Sequence, residues 1–165
     1  MADNKHLLVR TISSIFIIIV LVIPYLYYYN EIVGMVNQYK KDMLYLNRIE
    51  AQMKYENWTE VTKINTEWQS DVKTDLPFDF LERRSALCNS SLEYAQYSLF
   101  VSQKNISPND DEMDFCKKEF ERCFLHYTSF LNEYIENGRK NGNFFMIGGT
   151  WIYKILHQGE IQMYK

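Results

Sequence analysis

The sequence predicts an all-α chain: an N-terminal transmembrane helix that continues into a long helix, then an antiparallel helical bundle and a short apolar C-terminal tail. Three observations carry this. Ile12–Tyr29 reads ISSIFIIIVLVIPYLYYY without a charged residue. Four later segments repeat apolar residues at spacings of three and four, the period of one helix face. The breakers fall between those segments, at Pro77, at Pro108 and at Asn137-Gly138.

The first element follows from length and composition. Eighteen residues at 1.5 Å rise nearly match the roughly 30 Å hydrocarbon layer. Ser13 and Ser14 can bond back to the carbonyls of their own helix, and Pro24 removes one donor near the far end. Tyr25, Tyr27, Tyr28 and Tyr29 close the run with rings whose hydroxyls reach headgroups and water. A cleaved signal is the first alternative, but bulky tyrosines stand where a small-x-small site belongs. A helix buried in a large assembly is the second. Lys5 and Arg10 precede the span, whereas the first basic residue after it is Lys40, so positive-inside leaves the N-terminus cytoplasmic and the bulk extracytoplasmic. A bacterial cytoplasmic membrane and an organellar inner membrane fit equally.

The expected division is a cytoplasmic tail at 1–11, the anchor at 12–29, a bundle domain at 30–138 and an interaction tail at 139–165. About 135 residues beyond the span make one modest domain. In Glu31–Lys54 the residues Ile32, Val36, Tyr39, Met43, Leu46 and Met53 form a narrow seam, either a coiled coil or a core stripe. With the only breaker the tolerated Gly34, a rod-like exit from the membrane is expected. Asn57-Trp58-Thr59-Glu60 reads as an Asn capping box opening a second helix with Trp58, Val61, Ile64, Trp68 and Val72 on one face. The short link at Tyr55-Glu56 implies antiparallel return on the first helix, or a kinked continuation.

Lys73–Phe78 is the next connection. A third helix then carries Phe80, Arg84, Leu87, Cys88, Ser91, Tyr94, Ala95 and Leu99, with a small-residue centre that admits a close neighbour. Ser107-Pro108 followed by Asp110, Asp111 and Glu112 marks the start of a fourth helix with acids at its positive end. Its face is Met113, Cys116, Phe120, Cys123, Tyr127, Phe130 and Tyr134, and it should end at Asn137-Gly138. Phe144–Leu156 is too short to span a bilayer and is split by Gly148-Gly149. Two short strands turning at the glycines, or an apolar tail clamped on the bundle or a partner, are the expectations. Phe144, Phe145, Ile147, Trp151 and Tyr153 are its candidate interaction surface.

Chemistry is sparse. A net charge of −3 with no basic block excludes a nucleic-acid footprint. Cys88, Cys116 and Cys123 read as buried free thiols; Cys116 and Cys123, about 10 Å apart along one helix, cannot bridge each other, though Cys88 can reach either if the helices are neighbours. The best metal-ligand grouping is Cys123 with His126, joined by Glu119 or Cys88, but a core thiol beside a boundary histidine explains it without a metal. Asp110, Asp111, Glu112 and Asp114 are accounted for by the helix dipole. No nucleophile, base and orienting group assemble around His6, His126 or His157, and no phosphate loop is present. No cofactor is expected, and no enzyme. Asn57, Asn89 and Asn105 begin glycosylation-type triplets, which matter only across a eukaryotic secretory membrane.

A single N-terminal span followed by a helix, then Asn57-Trp58-x-Glu60 with Trp68 ten residues later, resembles an uncharacterised family of single-span, extracytoplasmic helical proteins of Gram-positive bacteria. The resemblance covers the layout of residues 7–135, implies a helical fold, transfers no catalytic residue and does not extend to the tail from Phe144. The function expected is a non-catalytic scaffold or accessory subunit of a membrane complex, its partners being membrane lipid and other subunits or further copies of the chain. The alternative is a small-ligand sensor with a pocket lined by Tyr94, Tyr127, Trp58 or Trp68.

Overall fold

The computed structural model describes residues 2–106 and 109–157. Among these the regular structure is entirely helical: α1 (Ala2–Met53), α2 (Trp58–Ser70), α3 (Phe78–Lys104), α4 (Asp110–Lys140) and α5 (Phe144–Leu156). The Ser107-Pro108 start expected for the fourth helix, and residues 158–165 of the tail, lie outside the described residues. α1 is one long N-terminal helix that is apolar enough to cross a membrane, and none of its most apolar stretch is buried against the rest of the chain.

Two compact units form. One holds the chain up to Val33 together with the chain from Tyr134 onward; the other is Gly34–Glu133. In the second unit, the buried stripe of α1 is Met35, Val36, Gln38, Tyr39, Asp42, Leu46 and Ile49. This is wider than a coiled-coil seam, and it is covered within the same chain, so it is a core stripe. Met43 and Met53, expected on the seam, are only half-buried. The ring pair Trp58–Tyr94 and the bond from Arg84 to the Trp68 carbonyl run in opposite chain directions, which makes α2 and α3 antiparallel neighbours. Along α1 and α2, Asn57 meets Gln52 while Asp71 meets Lys41, so α2 returns along α1 rather than continuing it. The small face of α3 is closed over, with Cys88, Ser91 and Ala95 all buried.

One helix start differs from expectation. The Asn57 side chain makes no cap bond and instead donates from Nδ2 to Gln52 Oε1 at 2.9 Å, so the capping box is not formed. The turn is closed by Glu56 at φ 53° and by backbone bonds from Tyr55 and Glu56. α3 ends at Asn105 in the left-handed region, where its N–H bonds the Ser102 carbonyl.

In the first unit, α4 runs through Gly138 to Lys140. A Cβ at Gly138 would stand 2.9 Å from Thr150 Oγ1, so this glycine serves a helix contact rather than a stop. Phe144–Leu156 is a helix and not a pair of strands: Asn143 Oδ1 accepts the Met146 N–H at 2.9 Å as its N-cap. Gly148 and Gly149 lie against α1, where a Cβ on Gly149 would meet Tyr28 Cβ at 2.7 Å and the backbone at Tyr25 O and Tyr29 N at 3.1 Å. Backbone cannot move aside as a ring can. Gly149→Val is therefore expected to cost about 1–3 kcal/mol by overpacking and to lift α5 from α1. Limited proteolysis should then cut faster between Asn141 and His157; an unchanged pattern would contradict this packing.

Candidate functional site

The second unit is built around a buried carboxylate that the sequence reading did not single out. Asp42, fully buried, sits three residues after Tyr39 and four before Leu46, a core position of α1. Its Oδ1 accepts from Trp68 Nε1 at 2.7 Å, Arg84 Nε at 3.0 Å and Gln38 Nε2 at 3.1 Å. Its Oδ2 accepts from Arg84 Nε at 3.1 Å and from the Tyr127 hydroxyl. Arg84 Nη2 goes on to the Trp68 carbonyl at 2.6 Å and the Asp71 carbonyl at 3.1 Å. Its guanidinium lies 5.7 Å from the Trp68 ring centroid. Gln38 also donates to the Asp71 carbonyl at 3.0 Å and accepts the Lys73 N–H at 3.2 Å.

One carboxylate thus ties α1, α2, α3 and α4 together, and one guanidinium holds the C-terminal end of α2. A buried ion pair is tolerated when its remaining donors and acceptors are satisfied, as they are around Asp42. The arrangement fixes helix register, and a cavity of about 400 Å³ lined by Val72, Leu81, Ser85, Cys88 and Asn89 opens beside Arg84. Arg84, Trp68 and Tyr127 were each read as face residues; the signal that would have found the node is an acid and a base each occupying a core position on a different helix.

This placement bears on the expected ligand pocket. Trp68 and Tyr127 commit their polar atoms to Asp42, and Trp58 meets Tyr94 edge-on at 5.7 Å. A separate apolar groove of about 230 Å³ lies between α1 and α4, lined by Met43, Leu46, Ile49, Met53, Phe120 and Phe124, with Asn47 and Glu50 at its edge.

The three cysteines are free. Burial pushes the Cys88 thiol up to about 12, against the opposing charge of Arg84. Cys123 is buried with its thiol 3.6 Å from Glu119 Oε1, while Arg122 engages the same carboxylate and His126 points to solvent. Among the described residues no three potential ligands converge on a metal position. The Tyr127 phenol is raised above its ordinary value by burial first and by the Asp42 charge second.

Both raised groups have the same linkage sign. Their stabilising effect is complete below the unfolded values, about 9 for a thiol and 10 for a phenol, and is lost as pH climbs from there toward the folded values. The melting temperature should therefore fall above about pH 9, and replacing Cys88, Cys116 and Cys123 together by Ala, since burial raises all three thiols, should move the onset toward the phenol range near pH 10. A melting temperature unchanged up to pH 11 would contradict the burial of both groups.

In the first unit the candidate surface on α5 divides. Phe144 (69% exposed), Ile147 (40%) and Trp151 (64%) face outward, joined by Ile155 and Leu156. Phe145 packs its ring 5.5 Å from that of Tyr25. Tyr153 is buried and stacks on His157 at 4.7 Å, so it belongs to the interior of this unit and not to its surface. The helix is held by Tyr29 Oη at 3.3 Å from His157 Nε2 and by Lys154 Nζ at 3.1 Å from Glu136 Oε1. Nearby, Tyr134 donates to Glu31 Oε1 at 3.0 Å; burial and then the Glu31 charge raise its phenol. Comparison with known protein families, curated proteins and solved structures finds no match to this chain.

Proposed function

We propose that the chain is a single-pass membrane protein, its N-terminus cytoplasmic and its bundle extracytoplasmic, serving as a non-catalytic scaffold or accessory subunit of a membrane complex. The observation that carries the partner-binding part is the groove between α1 and α4. It presents Met43, Met53, Phe120 and Phe124 beside Leu46 and Ile49. Flexible methionines among aromatic rings suit an apolar helix or loop of another protein, because they repack around different shapes.

A photocrosslinking residue at Phe124, in the intact chain in its own membrane, tests this. A discrete adduct of protein mass, lost when Met53→Glu is added, is expected. A clean monomer in mild detergent with no adduct would overturn the subunit reading. A rise in melting temperature with a small molecule alone would favour the sensor.

A further inference from the structure

We propose that the outward face of α5 is a lipid-contact surface, which seats this helix in the acyl–headgroup boundary of the leaflet where the span ends. The inference rests on the membrane anchoring proposed above and goes beyond it.

α5 is packed against the last turns of the apolar run of α1. Phe144 and Phe145 meet the Tyr25 ring at 5.6 and 5.5 Å, Gly149 lies against Tyr28, and His157 reaches Tyr29. Tyr25 and Tyr29 are only about 6 Å apart along α1, so every one of these contacts falls in the same narrow depth at the end of the span. Whatever surrounds α1 there also surrounds α5.

The outward side chains suit that depth. Phe144, Ile147, Trp151 and Ile155 succeed one another at spacings of three and four, and each is at least 40% exposed. Ile23, Leu26 and Tyr27 are exposed as well, on the side of α1 turned away from α5, so apolar side chains face outward on both helices at this depth. Lys154, at the border of this face, is paired with Glu136, and Tyr134 is paired with Glu31 and His157 with Tyr29. An amphipathic helix with Trp and Phe on its apolar side binds at the interface by burying that side several ångströms deep. The lipid reading accounts for an apolar helix of thirteen residues that cannot itself span.

The test uses the full chain purified into nanodiscs, comparing wild type with Trp151→Phe, a change on an exposed ring that leaves the packing of α5 intact. The difference between the two emission spectra isolates Trp151. With bromine-labelled acyl chains that component should fall about twofold or more, and aqueous iodide should leave it unchanged. Quenching by iodide and not by bromine would overturn the proposal by placing the face in water. Protection from both would overturn it by placing a second copy or another protein there. A chain that incorporates stably but shows either of these results loses only the α5 assignment; a chain that washes off in alkaline carbonate loses the anchor, and this inference with it.

Discussion

Asp42→Asn is expected to lower the unfolding free energy by about 3–5 kcal/mol, because it leaves the buried Arg84 guanidinium without its counter-charge. The amide keeps one oxygen for the donors now shared between two, and turns an NH2 toward Tyr127 and Arg84. Against a typical total of 5–15 kcal/mol, such a loss is a large fraction. The melting temperature of the bundle should drop by about 10–20 °C. A structural role makes a second, sharper demand. Replacing both partners, as in Asp42→Leu with Arg84→Met, should cost much less than the sum of the single changes, because no charge is left stranded. Tyr127→Phe, which removes one donor to the same carboxylate, should cost about 1.5–3 kcal/mol. Urea melts of these variants, with Asp42→Leu and Arg84→Met also measured singly, decide the matter: a near-neutral Asp42→Asn, or strict additivity of the double change, would show that the node does not hold the helices.

The second large effect concerns the anchor. Ile18→Lys with Val22→Lys places two charges near the middle of the apolar run, each costing about 2.5–3.5 kcal/mol at that depth. Both native side chains are exposed, Ile18 at 59% and Val22 at 43%, so no internal packing is lost. The doubly charged chain should be released from membranes by alkaline carbonate, while Ile18→Ser with Val22→Ser should stay. Retention of the lysine variant would mean that something other than this stretch holds the protein on the membrane.

Much of the helical layout was legible because periodicity and breakers report local physics. The apolar run up to Tyr29, the turn at Tyr55-Glu56 and the connection at Pro77 are each decided by a few neighbouring residues. What was not legible depends on contacts far apart in the chain. Asp42 was passed over for Met43 because an apolar template prefers the methionine, yet Arg84, forty-two residues on, makes the carboxylate the better core group. Gly148-Gly149 suggested a turn because glycine usually permits one. Here the pair is helical, and what the missing side chains permit is the approach of Tyr25 and Tyr28. Gly138 misled in the same way, since its hydrogen faces Thr150 and α4 runs on past it. The Asn57 cap is not formed: the residue sits at φ −84° and ψ 64°, outside the extended backbone a capping residue adopts, and its Nδ2 donates back to Gln52. Of the candidate surface on α5, Phe144, Ile147 and Trp151 are exposed; Tyr153 shares their composition but faces inward, a distinction that only the helix phase reveals.

The central claim is that the apolar start of α1 lies in lipid with the bundle displayed on the opposite side from the N-terminus. Fusing alkaline phosphatase or a green fluorescent reporter after Lys165 of the full chain measures this most directly. The account predicts an active phosphatase and a dark fluorescent fusion in a bacterial host. A fluorescent fusion with inactive phosphatase would place the bundle in the cytosol and contradict it.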